Sequence, residues 1–284
     1  MSLESKVFGP TGAHTHTVIF LHGRDSDCVE FADEFFESEA SPGVGGGPGQ
    51  NNPRTLRELF PTVRWVFPGA PVLRSARFDG GDMSQWFDMW SVENPEARPE
   101  IQRDGLRRSS DRILSVIKHE EDPAAAGVPR SRIFLCGISQ GFAAAVATLF
   151  AEGQGGFAGM IGLCSWMPFA TLVEESFGSG EEKDTLSLSH LQSLYTIPSS
   201  TETASEPVGG GVKVDSLRQV PMLITHSSDD DVVPVRNGRR LRDILRLHGF
   251  GVEWKEYPDG GHWVNEPQGV DDIAHFLRRY MNLC

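Results

Sequence analysis

The chain is poor in positive charge, and it lacks the long apolar runs of a membrane protein. Its 284 residues contain 26 Lys and Arg against 39 Asp and Glu, a formal net charge of −13 at pH 7. Nucleic-acid-binding domains usually carry a basic surface, so this balance argues against a nucleic-acid partner. The longest mostly apolar stretch, residues 142–151, is far shorter than the roughly 20 residues that span a bilayer. We therefore expect no integral membrane segment.

Cysteines and export signals are scarce as well. The cysteines are widely scattered, at Cys28, Cys136, Cys164 and Cys284. A secreted disulfide scaffold would be denser in cysteine, and a zinc site would show paired spacing, so we expect no metal. The N-terminal stretch has no signal-like apolar segment, and no Asn-x-Ser/Thr glycosylation site occurs. These features favour reduced thiols and a cytoplasmic location.

Short apolar runs alternate with helical patterns from residue 17 onward. The predicted strands are 17–22, 63–67, 132–136, 157–164, 221–226 and 251–257. The predicted helices are 31–38, 101–119, 139–150, about 237–247 and 269–281. Continuous apolar runs of this length are typical of strands buried on both faces of a parallel sheet. The alternation predicts an α/β fold with a mostly parallel central sheet and helices on both faces.

We predict a single domain over residues 1–284, with a loop-rich insertion at about 174–215. This insertion is rich in Ser, Thr, Gly and Glu, and loops of such length are uncommon unless they are functional or disordered. Within it, a short helix capped by Asp184 would place Leu188, Leu191 and Tyr195 on one face. We interpret the segment as a disordered surface insertion, with a mobile flap over a pocket as the alternative.

Residues 137–141 carry the motif that points most directly to chemistry. The sequence Gly-Ile-Ser-Gln-Gly matches the G-x-S-x-G pattern of a nucleophile elbow. It lies between a predicted strand and an Ala-rich predicted helix, which is the setting that the elbow requires. Small residues flank the serine because strand and helix must approach each other closely. This setting predicts that Ser139 is a nucleophile.

A serine nucleophile needs a histidine base and an orienting carboxylate. His262 follows a predicted strand within a glycine-rich sequence, residues 257–261, where a loop can aim one side chain back over the sheet. The chain order of this type of site places the acid between the serine and the histidine. Three consecutive aspartates, residues 229–231, directly follow the predicted strand 221–226. Composition alone does not separate them.

The third requirement is an oxyanion hole made of backbone N–H groups. Gln140 directly follows the nucleophile and is expected to supply one donor. The second donor should come from the loop after an early strand, where Arg24 follows Leu-His-Gly. We expect Arg24 to donate its backbone N–H while its side chain points elsewhere.

Several stretches together resemble the acyl-protein thioesterase family, also called the phospholipase/carboxylesterase family, of the α/β-hydrolase fold. They are FLHGRDSD (20–27), VFPGAP (66–71), SQWFDMWS (84–91), CGISQGFA (136–143), LCSWMPF (163–169), HSSDDDVVP (226–234) and YPDGGHW (257–263). Two of them, 84–91 and 163–169, look most like fungal members. The resemblance implies that Ser139 is the nucleophile, Asp230 the acid and His262 the base. It also implies an oxyanion hole at Arg24 and Gln140.

The chain departs from the family pattern near the predicted site. Asp25 stands where the family usually has Gly, and Asp is among the few residues that tolerate a positive φ. Phe142 stands where the family has a small residue, and it is expected either to narrow the acyl pocket or to pack beneath it. Trp86 and Trp166 are further candidate substrate contacts, although core packing is an equally good interpretation of both.

We therefore expect a serine hydrolase that cleaves acyl esters or thioesters through an acyl-enzyme, as a carboxylesterase, acyl-protein thioesterase or lysophospholipase does. Its substrate would be a small acyl ester or an acylated protein. The alternatives are a natural-product tailoring enzyme and a non-catalytic ligand-binding module. No cofactor is expected, because a Gly-Lys dipeptide is absent and the glycine pattern at 153–158 follows a helix instead of a strand.

Overall fold

The computed structural model describes residues 4–44, 52–125, 127–175, 184–196 and 213–282. The strands are β1 (Ser5–Phe8), β2 (His16–Leu21), β3 (Glu39–Ala40), β4 (Arg54–Thr55), β5 (Val63–Pro68), β6 (Val72–Arg74), β7 (Asp82–Ser84), β8 (Ile133–Ile138), β9 (Gly159–Leu163), β10 (Met222–Ser227) and β11 (Val252–Tyr257). The helices are α1 (Cys28–Phe35), α2 (Leu56–Leu59), α3 (Arg103–Glu121), α4 (Gln140–Glu152), α5 (Ala170–Glu175), α6 (Asp184–Thr196), α7 (Val214–Arg218), α8 (Val235–Leu247) and α9 (Gln268–Tyr280).

The central sheet has seven strands within this part of the chain, in the order β1-β5-β2-β8-β9-β10-β11. All neighbours are parallel except β1, which pairs antiparallel with β5. The predicted fold class is thus confirmed, and each of the six predicted strands lies in this sheet. The sequence analysis missed β1, a short edge strand whose residues are only partly buried.

Two apolar clusters lie on opposite faces of the sheet. In β2, Ile19 and Leu21 belong to one cluster, whereas Val18 and Phe20 belong to the other. The first cluster includes residues of α3, α4, α6 and α8, and the second includes residues of α1, α2 and α9. Because successive strand residues point to opposite faces, a fully apolar strand serves both clusters. Among the described helices, none is long and apolar enough to cross a membrane.

Helix α1 begins at Cys28, three residues before the predicted start of this helix. The Asp27 carboxylate accepts hydrogen bonds from the N–H groups of Val29 and Glu30, at 2.7 and 2.9 Å. An aspartate at this position satisfies N–H groups that have no partner within the helix. This N-cap, which the sequence analysis overlooked, explains the earlier start.

Helix α6 corrects the interpretation of the insertion. Leu188, Leu191 and Tyr195 are buried, as the predicted apolar face requires, so disorder is the wrong interpretation for 184–196. The Tyr195 ring stacks on Phe150 of α4 with ring centroids 5.9 Å apart, and its hydroxyl donates to the Pro168 carbonyl at 2.8 Å. The rest of the predicted insertion between α5 and α7, residues 176–183 and 197–212, lies outside the described residues, and the single-domain boundary stays a prediction.

The buried face of α6 predicts a stability cost on truncation. Leu191→Ala should lower the free energy of unfolding by about 2–5 kcal/mol, because it leaves a cavity against the core. Ser189→Ala, on a half-buried face of the same helix, should change it by roughly 0.5 kcal/mol or less. Urea denaturation measures both changes. Equal midpoints for the two variants and the unmodified chain would contradict the packing of α6.

Candidate active site

Ser139 lies at the turn between β8 and α4 with φ 54° and ψ −127°, a strained conformation for a residue with a side chain. A Cβ at position 137 would lie 2.5 Å from a backbone nitrogen of α4. At position 141 it would collide with the carbonyl oxygens of Leu21 and His22. Backbone contact on both sides of the turn therefore requires Gly137 and Gly141, as the elbow motif predicts.

Asp230 and His262 follow neighbouring parallel strands, β10 and β11. Nδ1 of His262 lies 2.8 Å from Oδ2 of Asp230, so Nδ1–H donates to the carboxylate. The Asp230 side chain is fully buried, whereas that of His262 is 20% exposed. His262 lines the same cavity as Ser139.

The carboxylate of Asp230 is surrounded by N–H donors. Oδ1 accepts hydrogen bonds from the backbone of Val232 and Val233 at 3.0 and 2.8 Å. Oδ2 lies 3.2 Å from Nε2 of His226, in addition to its contact with His262. Burial alone would raise the pKa of this carboxyl, but the hydrogen bonds from His226 and His262 hold the pKa of Asp230 well below its usual range. Asp230 is therefore ionised at neutral pH.

The three consecutive aspartates have different surroundings. Asp230 contacts the imidazole of His262. The Asp229 carboxylate accepts the backbone N–H of Gly261 at 2.9 Å, so it holds the loop that carries His262. Asp231 is exposed. Gly260 and Gly261 both have positive φ, which explains the glycines that drew attention to this loop.

Arg24 lies in the loop after β2, and its side chain points away from the serine, as expected. Its Nε donates to Oε1 of Gln85 at 3.0 Å, and its terminal NH₂ group donates to Ser75 Oγ at 2.9 Å. The next residue, Asp25, has φ 59° and donates its N–H to the Ser84 carbonyl at 2.7 Å. An aspartate thus adopts the left-handed conformation for which the family pattern uses glycine.

A second loop, residues 85–88, ties the two candidate oxyanion donors together; we call it the clamp segment. Gln140 accepts the backbone N–H of Trp86 at 2.9 Å and donates its amide to the Phe87 carbonyl at 2.7 Å. The Trp86 indole donates to the His22 carbonyl at 2.9 Å. Gln140 is also the first residue of α4, so its own N–H has no partner within the helix. Sequence reasoning missed this clamp; the signal it offered was a glutamine, Gln140, directly after the elbow serine.

A cavity of about 480 Å³ opens over Ser139 and His262. Its walls are partly apolar, from Phe31, Phe78, Met83, Val92, Ile138, Val232 and Trp263. They also include charged residues, which are Arg24, Asp25, Glu30, Glu34 and Arg77. A mixed wall of this kind suits a ligand that has an apolar part and a polar part.

The three aromatic residues predicted as substrate contacts are not among the residues that line this cavity. Trp86, Phe142 and Trp166 are all almost completely buried. The Phe142 ring packs against the backbone of Gly162. Of the two expectations for Phe142, this agrees with packing beneath the pocket and not with narrowing it. The structure therefore does not support a substrate contact for these three side chains.

Cys164, His226 and Asp230 place potential ligand atoms within 4.8 Å of one another, and all three are buried. A metal requires a deprotonated thiol. Burial, together with the nearby charge of Asp230, raises the pKa of the Cys164 thiol. Both carboxylate oxygens of Asp230 already accept N–H groups. This chemistry fits a hydrogen-bonded polar cluster better than a metal site.

Comparison with known proteins adds independent information. A family model described as phospholipase/carboxylesterase matches residues 43–212. Acyl-protein thioesterase 1 of Gibberella zeae is 26% identical over 278 residues, covering 97% of this chain and 94% of that protein. Acyl-protein thioesterase 1 of Yarrowia lipolytica is 29% identical over 267 residues, covering 93% and 92%. The crystal structure of Zea mays acyl-protein thioesterase 2 has the same fold, with a TM-score of 0.67, 20% identity and coverage of 98% and 99%.

The left-handed backbone at Asp25 predicts how substitutions there affect stability. Asp25→Val should lower the free energy of unfolding by about 1–3 kcal/mol, because a β-branched residue rarely adopts a positive φ. Asp25→Gly should cause no such loss. Asp33→Val, at an exposed position of α1, controls for the loss of the carboxylate. Urea denaturation compares the variants, and equal stability of Asp25→Val and Asp25→Gly would contradict the strained geometry.

Proposed function

The chain belongs to the phospholipase/carboxylesterase family of the α/β-hydrolase fold, and we propose that it hydrolyses acyl esters or thioesters through an acyl-enzyme on Ser139. The observation that carries this proposal is the 2.8 Å contact between His262 Nδ1 and Asp230 Oδ2. It occurs beside a cavity lined by both Ser139 and His262. A serine at a strained elbow and a carboxylate-bound histidine are the parts of a nucleophilic triad.

In the proposed mechanism, the Ser139 hydroxyl attacks the acyl carbonyl and His262 takes its proton at Nε2. The negative oxygen of the tetrahedral intermediate accepts hydrogen bonds from the backbone N–H groups of Arg24 and Gln140. The intermediate collapses, and the leaving alcohol or thiol receives the proton from His262. Water then attacks the acyl-enzyme by the same route, which releases the acid and restores Ser139. Asp230 orients the imidazole and stabilises its charged form throughout.

The substrate class follows from the cavity and the relatives together. An apolar wall that includes Phe78, Met83 and Val92 suits the hydrocarbon part of an acyl group. The relatives carry the name acyl-protein thioesterase. The general proposal is therefore an acyl ester as substrate, and the more specific proposal is an acylated protein. We also propose a cytoplasmic location, which is supported by the buried cysteines Cys28, Cys136 and Cys164, because none of these three forms a disulfide.

A covalent probe separates this proposal from a ligand-binding module on the same fold. Ser139→Ala should lower kcat on a p-nitrophenyl ester on the order of a million-fold, because the triad acts as a unit. It should also abolish labelling by a fluorophosphonate. Ser189→Ala on α6 provides the matched serine control and should keep both signals. Undiminished turnover or labelling of the folded Ser139→Ala variant would refute the proposal.

The aspartates provide a second test. Asp230→Asn should lower kcat on the order of 10⁴-fold, because the amide favours the wrong tautomer of His262. Asp229→Asn should cost about tenfold or less, since an amide oxygen still accepts the Gly261 N–H, and Asp231→Asn should cost no more. Ester hydrolysis measures all three, with circular dichroism to confirm folding. A larger loss at residue 229 or 231 in a folded variant would reassign the acid.

A further inference from the structure

His226, near the end of β10, contacts the same carboxylate oxygen as His262. Its imidazole is completely buried, with Nε2 3.2 Å from Oδ2 of Asp230 and 2.8 Å from the Val233 carbonyl. Both neighbours are acceptors, because Asp230 is ionised and a carbonyl has no proton. Nε2 therefore carries the hydrogen, which it shares between the acid and the turn that follows.

The other nitrogen of this imidazole has no hydrogen-bond partner among the described residues, although Nδ1 is buried. Helix α8 makes room for the ring at this point, because a Cβ on Gly238 would collide with Nδ1. A glycine inside a helix is unfavourable relative to alanine, and a buried polar atom without a partner is unfavourable as well. The contact between Nε2 and Asp230 is thus accompanied by two unfavourable features, a glycine inside α8 and a buried Nδ1 without a partner.

We infer that His226 is a positioning residue for the acid: its Nε2–H orients the Asp230 carboxylate and limits how strongly that carboxylate holds the charged form of His262. The inference rests on the proposed function, since it takes Asp230 as the acid. With His226, the carboxylate receives four N–H groups, two on each oxygen. Every preferred acceptor direction is then occupied, and the carboxylate has no freedom to rotate away from His262.

The groups that face His226 and Asp230 come from α8 and β11, from the residue after β9, and from the loops that follow β10 and β11. The residue after β9 contributes the Cys164 thiol, whose raised pKa keeps it neutral. Helix α8 contributes Gly238, and β11 contributes Trp254, whose ring centroid lies 6.4 Å from that of His226. The loops that follow β10 and β11 contribute two further titratable groups. These are Asp229, which accepts the Gly261 N–H, and His262.

Loss of the Nε2–H has a defined effect on pH dependence. With one donor fewer, more negative charge remains on Oδ2, and the bond from His262 becomes stronger. The imidazolium of His262 is then better stabilised, so a higher pH is needed to free the base. The acid limb of kcat/KM should consequently move to higher pH, whereas a purely structural loss would lower the rate without moving the limb.

The test compares His226→Phe with His226→Gln. Phenylalanine removes the donor, whereas the glutamine amide can present an N–H near the position of Nε2. For His226→Phe we expect kcat to fall about 10–100-fold, KM to change by about twofold or less, and the acid limb to shift upward by roughly half a pH unit. For His226→Gln we expect an acid limb at the same pH as in the unmodified protein and a kcat loss below about fivefold. The readout is hydrolysis of a p-nitrophenyl ester across roughly pH 5 to 9.

His248→Gln is the matched control. His248 is also buried, but it follows α8 at the edge where the strands begin, and its replacement should leave kcat and the pH profile unchanged. Gly238→Ala provides a second route if His226→Phe does not fold, because the added methyl group displaces the ring from Asp230. It should shift the limb in the same direction.

Two outcomes overturn the inference alone. One is a folded His226→Phe, or Gly238→Ala in its place, whose acid limb lies where that of the unmodified protein lies, whether or not kcat has fallen. The other is His226→Gln shifting the limb as far as His226→Phe. Either outcome counts against the inference alone when Ser139→Ala has abolished activity, because the proposed function then still stands. Full activity of Ser139→Ala overturns the proposed function and this inference together.

Discussion

Backbone contact between the turn at Ser139 and the end of β2 is the constraint on which the whole site depends. Gly141 permits the approach, since any side chain there would meet the carbonyl oxygens that end β2. The approach brings the loop that carries Arg24 beside the helix that begins at Gln140. It also leaves Ser139 in a backbone conformation that an unconstrained chain would avoid. The serine and both proposed oxyanion donors thus have one common origin in the packing of β2 against α4.

The proposed acid and base depend on the sheet in a different way. Strands β10 and β11 are parallel neighbours in register from Met222 with Val252 to Ser227 with Tyr257. Residues that follow their ends therefore meet at one edge, where active sites of open α/β sheets lie. A few residues beyond that edge, Asp230 turns back into a set of N–H groups. The loop of His262 is in turn held by Asp229.

Much of this arrangement was readable in the sequence, for identifiable reasons. Strands buried on both faces leave uninterrupted apolar runs, and an elbow leaves two obligatory glycines. The choice of Asp230 among three consecutive aspartates needed the family resemblance. Three identical side chains cannot be told apart by residue type, because they differ only in their surroundings in the folded protein. The placement of Trp86 and Phe142 was beyond prediction, since core and pocket walls use the same aromatic side chains. Helix α6 was underestimated because its few apolar residues lie in a polar segment.

The clamp segment has a consequence for how the proposed oxyanion hole works. Arg24 is tied to it through Gln85, and Gln140 is tied to it through Trp86 and Phe87. The residues that carry the two proposed donors are therefore held by their side chains in the folded protein. A preorganised dipole pair needs no solvent-like rearrangement as charge develops, which is the main advantage of a protein site over water. If the proposed oxyanion hole operates, a loop outside the serine turn would lower the reorganisation energy of the reaction.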